Sequence, residues 1–504
     1  MLVDALFSSY IKYRLKRIEL YRDYPIECQQ RVWLDLLKSG KQTEYGRAVG
    51  FERIEGLEDF LSVIPLNDYS TLEPYIIRSI NGERNVLWPG TTRWFAKSSG
   101  TTGTRIKTLP VTRESLENNH YAGGKDLLAC YHHNVPNRKL YSKKHLILGG
   151  SNSLQTLEHH TIVADLSAII IDNLPFWTEF RRVPNKHIVL HADWEEKLNR
   201  MAEASINEDV AILAGVPSWM TLFGKKVLEA SGKRHLSEVW PNLELYIHGG
   251  MNLSPYKAGL NEIINKPTMN FVESYNASEG YFGLQDASAS DGLLLLTDAS
   301  VFYEFIPMSE YQGTCSNRVI TLEEVSAGVE YAIVISTNAG LWRYIIGDTI
   351  IFLSTHPYRF VVSGRTEHYI NAFGEKAVVM HFEQAITRWT EQFGVTLENY
   401  TVAPYFDFEK GNGGHEWALE LNTEIPLTTE MEELLDAFMC EVNSDYATKR
   451  AKNLNILPLK ISQLRNGTFS EWMKKKGKFG GQHKIPRVQN NRLLIDELIE
   501  ISSF

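Results

Sequence analysis

Cysteine is scarce in this chain: Cys28, Cys130, Cys315 and Cys440 stand far apart among 504 residues, with no CxxC and no paired spacing. That excludes a disulfide framework and a cysteine-built zinc site, and fits reduced thiols in a cytoplasmic setting. Long apolar runs are also missing. No stretch of about 18 uninterrupted apolar residues occurs, so no membrane-spanning helix is expected. Asp4 and the basic segment Lys12 to Arg17 interrupt the first residues, so no signal-peptide core develops there. Nor is there an excess of positive charge. With 52 Lys and Arg against 61 Asp and Glu the net charge is −9, which disfavours a protein that coats nucleic acid. Any site for a polyanion must therefore be local.

One such site is written at Lys97-Ser98-Ser99-Gly100-Thr101-Thr102-Gly103-Thr104-Arg105-Ile106-Lys107. Glycines let backbone N–H groups converge on an anion, hydroxyls add donors, and the flanking cations neutralise phosphate charge. A nucleoside triphosphate is the guest this pattern suits, a solvated polar loop being the plain alternative. It is not a Walker A loop, because no Gly-Lys-Ser/Thr closes it.

The chain exceeds what one hydrophobic core usually supports, so more than one domain is expected. Residues 1 to about 90 read as helical, punctuated at Pro65, Pro74 and Pro89-Gly90; the first helix carries Ile11, Ile18 and Tyr21 at helical spacing and reads as packed on the main domain rather than on a membrane surface. Short apolar runs at 145–148, 167–171, 210–213 and 243–247 read as buried strands, and Asp193 reads as the N-cap of a helix carrying Leu198, Met201 and Ile206. This alternation predicts an α/β fold. Runs at 293–296, 301–306, 331–335 and 349–353 predict a strand-rich region. A smaller unit is expected after Gly364-Arg365, giving domains over 1–362 and 363–504; in the second, Thr429-Glu430-Met431-Glu432 reads as the start of a helix and Lys474 to Lys478 as a mobile basic loop able to close over a nucleotide. The pairs His132-His133 and His159-His160 read as solvated or capping rather than metal-ligating.

Three further segments complete a nucleotide site. His248-Gly249-Gly250 ends a strand in two glycines, where backbone can approach a flat ring. Glu273 to Gly280 places Tyr275, Ser278 and Glu279 on what reads as one loop: a tyrosine able to stack on a base and a carboxylate able to hold Mg²⁺ through oxygen. Gly347-Asp348 offers a carboxylate able to accept both ribose hydroxyls, Arg343 and Asp348 otherwise reading as a structural ion pair.

This ordered set resembles the Gretchen Hagen three family of acyl-acid amido synthetases, members of the adenylate-forming superfamily with firefly luciferase and the acyl-CoA synthetases. Ser98-Ser99-Gly100-Thr101-Thr102-Gly103 with Lys107 resembles the family's phosphate loop, Tyr275-Asn276-Ala277-Ser278-Glu279 its Tyr-x-x-Ser-Glu motif, and Tyr344 with Gly347-Asp348 its Tyr-Arg-x-Gly-Asp motif. Ile345 stands where plant members carry arginine. The resemblance implies a large N-terminal domain of α/β and β-barrel-like parts, and a small mobile α+β C-terminal domain. It implies that ATP and Mg²⁺ serve the reaction, that the substrates are a carboxylic acid and an amino acid, and that Glu279 holds the metal. Gly364-Arg365-Thr366-Glu367 resembles the superfamily's hinge, placing Arg365 near the nucleotide, and Lys484 and Lys376 are expected to bring cations from the C-terminal domain. An acyl-CoA ligase, or a non-catalytic nucleotide-binding relative, is the alternative.

Overall fold

The computed structural model describes residues 2–98, 107–135, 140–149, 155–191, 193–251, 253–287, 291–366, 369–370, 372, 375, 377–407, 412–422, 425–450, 456–477 and 485–503. Its chain clusters into two units. The first comprises 1–215, 240–250 and 268–362; the second comprises 216–239, 251–267 and 363–504.

The first unit opens with helices that bury one face each. Leu2–Asp23 buries Ile11, Ile18 and Tyr21 against Leu127, Ala129 and Tyr131, and its Arg14 Nε donates to Asp126 Oδ1 at 2.6 Å, so the helix is packed on the unit. Pro25–Gly40 buries Val32, Trp33, Leu36 and Leu37, an i, i+1, i+4, i+5 pattern that forms a single apolar stripe.

Strands then dominate. β1 (Trp94–Ser98), β2 (Lys107–Val111), β3 (Lys144–Leu148), β4 (Gln155–Thr156) and β5 (Ile162–Asp165) are followed by β6 (Val210–Gly215), β7 (Leu245–Gly249), β8 (Asn270–Ala277), β9 (Gly280–Leu284) and β10 (Leu293–Leu295). β11 (Val301–Pro307), β12 (Ile320–Thr321), β13 (Glu330–Thr337), β14 (Tyr344–Thr355) and β15 (Tyr358–Arg365) continue the series. Among the described residues these make a four-stranded sheet, β2-β1-β5-β4, and an eleven-stranded one, β12-β11-β13-β14-β15-β10-β9-β8-β7-β6-β3. β3, β6, β7 and β8 run parallel, each reached by a helical crossover, as parallel pairing requires. From β8 to β9 the pairing turns antiparallel. The strand-rich half expected to be barrel-like is thus continuous with the parallel half in one sheet, packed over an aromatic core that includes Tyr275, Phe282, Phe305, Trp342, Phe352 and Phe360.

In the second unit, β16 (Tyr369–Ile370) pairs with β17 (Ala377–Val378), while β18 (Leu397–Asp407), β19 (Asn412–Leu421) and β20 (Lys460–Leu464) form a three-stranded sheet. Helices Val379–Phe393 and Thr429–Val442 cover it with Trp389, Leu435 and Met439. The helices Pro217–Ser231 and Ser254–Ile264 belong to this unit: Lys225 Nζ lies 2.6 Å from Glu398 Oε1, and a Cβ on Gly259 would stand 2.8 Å from the Thr396 methyl.

Several local readings change. Residues 167–171 are not a strand but the heart of the helix Leu166–Asp172; a five-residue apolar run carries no period that separates the two states. Pro74 lies inside the helix Tyr69–Ile80 rather than at a turn. The helix opens at Thr429 as expected and runs to Val442, but the capping box read at Thr429-Glu430-Met431-Glu432 does not form: the cap is Thr428, whose hydroxyl accepts from Met431 N. Lys474 and Lys475 close the helix Thr468–Lys475, where Lys475 pairs with Glu471 and Lys476 with Glu497, so this part of the basic run is an ion-paired helix end and not a loop.

Candidate functional site

The antiparallel pairing of β1 with β2 sets Ser98 directly opposite Lys107. The two residues therefore close the base of the connection 99–106, and Lys107 is half-buried there. Ser99, Gly100, Thr101, Thr102 and Gly103 lie outside the described residues. One residue before Ser98, Lys97 is in register with Asp165 of the parallel neighbour β5. Burial pushes the Asp165 carboxyl up to about 6 against the opposing pull of Lys97 and Lys197. Lys197 is fully buried, its ammonium donating to Gly149 O at 2.8 Å, and burial lowers it to about 8 against the pull of Asp165. A buried acid and base thus sit beside the strand that feeds the loop. The sequence held a signal for Lys197: it lies on the same helical stripe as Trp194, Leu198 and Met201.

The end of β7 is the second wall. Gly249 is in register with Ser274 of β8, and a Cβ at position 249 would meet Ser274 O at 2.3 Å, so only glycine fits. Gly250 follows with φ +78°, the left-handed region that glycine enters without strain.

Glu273 to Ala277 are not loop: β8 carries them to the end of the strand, and only Ser278 and Glu279 form the turn to β9, closed by the pair Ala277 and Gly280. Both turn residues are buried. Tyr275 projects into the aromatic core, edge-on to Phe282 at 5.1 Å and to Phe360 at 6.0 Å, and its hydroxyl donates to Asp348 Oδ2 at 2.5 Å. Two motifs 73 residues apart are thereby joined by one hydrogen bond. Asp348 follows Gly347, whose φ of +92° turns β14 at that point. Arg343 is not its partner. The Arg343 guanidinium grips Glu304 through Nη2 at 2.6 Å and Nε at 3.0 Å, and donates to Leu61 O and Ile64 O at 2.6 and 2.5 Å. Ile345 packs with Ile306, Ala332 and Val334.

The GH3 family N-terminal domain matches residues 14–269, the GH3 family central domain 294–365 and the GH3 family C-terminal domain 380–493, in that order. The chain belongs to the GH3 family. It is 24% identical to the indole-3-acetic acid-amido synthetase GH3.8 of Oryza sativa subsp. indica, over 91% of this chain and 87% of that one. It is also 24% identical to the 4-substituted benzoates-glutamate ligase GH3.12 of Arabidopsis thaliana, over 96% and 95%. The solved AtGH3.15 acyl acid amido synthetase in complex with 2,4-DB shares the fold at a TM-score of 0.81 and 19% identity, covering 98% of this chain and 96% of that one.

Of the GH3 residues expected from the C-terminal part, Arg365 ends β15, while Lys376 and Lys484 lie outside the described residues. Their neighbours are anchored. Glu375 is fully buried, with His415 Nε2 2.9 Å from its Oε1 and Asn443 Nδ2 donating to its carbonyl at 3.2 Å. Arg487 donates to Tyr400 O at 2.9 Å, lies 4.7 Å from the Tyr400 ring and bonds the Tyr256 hydroxyl, all within the second unit.

The donor chemistry at Glu279 fits Mg²⁺. Among the described residues no group of three His, Cys, Asp or Glu gathers into a metal cluster. A carboxylate such as Glu279 is the oxygen donor type that Mg²⁺ takes alongside phosphate oxygens and water.

Proposed function

We propose that this GH3 protein is an ATP-dependent acyl-acid amido synthetase, a ligase that makes a C–N bond through an acyl-adenylate. The observation that carries this reading is the Tyr275–Asp348 hydrogen bond, because it joins two separate nucleotide motifs in the unit that also holds the base of the phosphate hairpin. A carboxylate oxygen of the acid attacks the α-phosphorus of ATP, and the bond from that phosphorus to the bridging oxygen breaks, releasing pyrophosphate. The amine nitrogen of an amino acid then attacks the acyl carbon, loses a proton, and expels AMP.

Such chemistry asks the protein for alignment and charge neutralisation more than for covalent help. Asp348, its plane set by Tyr275, accepts the ribose hydroxyls. Gly249 and Gly250 give the adenine a backbone edge to lie against, with Tyr275 behind it. Ser98, Ser99, Gly100, Thr101, Thr102 and Gly103 cradle phosphate oxygens, Lys107 supports the loop, and Ser278 and Arg365 contact the nucleotide. Glu279 holds Mg²⁺, which when bound neutralises charge on the β,γ-phosphates. Residues 1–362 bind ATP and the acid, and 363–504 carry Lys484 and Lys376 in as mobile cations. The four free thiols accord with a cytoplasmic enzyme.

GH3.8 is named for indole-3-acetic acid, GH3.12 for 4-substituted benzoates, and the GH3.15 structure holds 2,4-DB. An aryl or alkyl carboxylic acid is the corresponding substrate class here. The test is pyrophosphate release on adding an acid library with ATP, then product analysis with an amino-acid mixture in one arm and CoA in the other. Acid-dependent pyrophosphate and an amide are expected. A thioester instead of an amide overturns the acceptor, and no pyrophosphate with any acid overturns adenylation.

A further inference from the structure

The turn that carries Ser278 and Glu279 is gripped from outside its own strands. Thr112 caps a helix that runs to Asn134, and between Leu116 and His120 this helix widens into a π turn. In an α-helix, adjacent residues point about 100° apart and seldom serve one surface. Here the adjacent Asn119 and His120 are both buried and both reach the β8–β9 hairpin. Asn119 Nδ2 donates to Tyr281 O at 3.0 Å and to Ala299 O at 2.9 Å, and its Oδ1 accepts from Tyr281 N at 2.6 Å. His120 Nδ1 lies 2.9 Å from Asn276 Oδ1; an amide oxygen only accepts, so Nδ1 carries the proton and donates. Gly123, the next residue but two, lets the helix come close, since a Cβ there would stand 2.5 Å from the Tyr281 ring. The hairpin is therefore held at Asn276 and at Tyr281, one residue outside each end of the closing pair Ala277 and Gly280.

We propose that Asn119 and His120 are positioning residues for adenylation: the π turn clamps both sides of the Ser278–Glu279 turn and fixes the Glu279 carboxylate where it meets the metal-bound phosphates. This rests on the reading of Glu279 as the Mg²⁺ ligand. A turn of two residues has little stiffness of its own, and an error of about 1 Å in a reacting group costs roughly 100-fold in rate. Burial lowers His120 to about 4, so the clamp is neutral near pH 7 and brings no cation to compete with the metal.

The experiment is a Mg²⁺ titration of acid-dependent ATP–pyrophosphate exchange, with AMP affinity measured alongside by calorimetry. His120→Phe keeps the ring and removes the donor, and Asn276→Ala removes the acceptor from the other side without altering the buried helix. Outer residues that orient a metal ligand typically change metal affinity about 10- to 100-fold, so the half-saturating Mg²⁺ should rise by at least about tenfold, while AMP affinity, to which Ser278 of the same turn contributes one contact, falls by clearly less. His120→Asn, which retains a donor, should recover part of it. If Glu279→Gln raises the Mg²⁺ requirement and neither folded clamp variant does, the clamp is wrong and the metal reading stands. Equal losses of AMP and Mg²⁺ affinity in the clamp variants also overturn it, since they report a merely structural role. Wild-type Mg²⁺ dependence in Glu279→Gln overturns the metal reading itself, and the clamp's purpose with it.

Discussion

At the scale of single residues, the proposed nucleotide site turns on the contact between the Tyr275 hydroxyl and the Asp348 carboxylate. Hydrogen bonds to a charged group contribute about 1.5–3 kcal/mol, and each 1.4 kcal/mol is tenfold in affinity. Asp348→Ala should therefore raise the ATP dissociation constant by roughly 10- to 100-fold in a folded protein, and Tyr275→Phe by less, because it only loosens the carboxylate. Calorimetric titration with ATP checks both, and an unchanged constant in Asp348→Ala removes that residue from the site. Arg343 makes the opposite prediction. Its guanidinium is buried against Glu304 and two carbonyls, and removing one partner of a buried pair costs about 3–5 kcal/mol. Arg343→Met should lose that much stability in urea while the folded fraction binds ATP normally; weakened binding without lost stability would return Arg343 to the nucleotide.

At the scale of elements, legibility followed the physics of each segment. A buried parallel strand such as β6 stands out as an apolar run, and the helix after Asp193 was marked by its cap, whose Oδ1 accepts from Glu196 N at 2.7 Å. The helix Leu166–Asp172 was not legible, since its short apolar run fits either state. The Ser98–Lys107 loop, the Tyr275 segment and Asp348 stand out in the sequence as candidate motifs, but the bond between Tyr275 and Asp348 does not, because nothing local encodes a partner 73 residues away. The π turn was hidden for a related reason: it breaks the 3.6-residue period by which helices are recognised. It leaves a thermodynamic signature. His120 sits near 4 when folded and near 6.5 when unfolded, so between those values the unfolded chain binds a proton that the folded one refuses. Stability should fall as pH drops from 6.5 to 4, by about 3 kcal/mol from this residue, and be indifferent to it above 6.5. Urea unfolding across that window should show a slope that His120→Asn shifts by that amount, the remainder coming from other buried groups such as Asp165, which acts in the opposite sense, and His145.

At the scale of the whole molecule, the proposed cations and the phosphate hairpin belong to different units of the chain: Ser98 and Lys107 lie in the first, Lys484 in the second. In the proposed function Lys484 is a cation that the C-terminal part supplies, and the segment just after it, Ile485 to Arg487, is tied to β18 through Val402 N and Arg487 O at 2.8 Å and to Tyr256 through the guanidinium. Negative charge develops on the departing pyrophosphate during adenylation, and losing one preorganised donor to such charge costs on the order of 10²–10³ in rate. The amide-forming step expels AMP from an adenylate already made and needs no help at pyrophosphate. Lys484→Ala should thus slow acyl-adenylate formation by about 10²-fold or more, and leave amide formation from supplied acyl-adenylate far less affected. Rapid-quench measurements of each half-reaction decide it. Equal losses in both, or none in the first, would reject Lys484 as the adenylation cation and with it the need for the C-terminal part to move between steps.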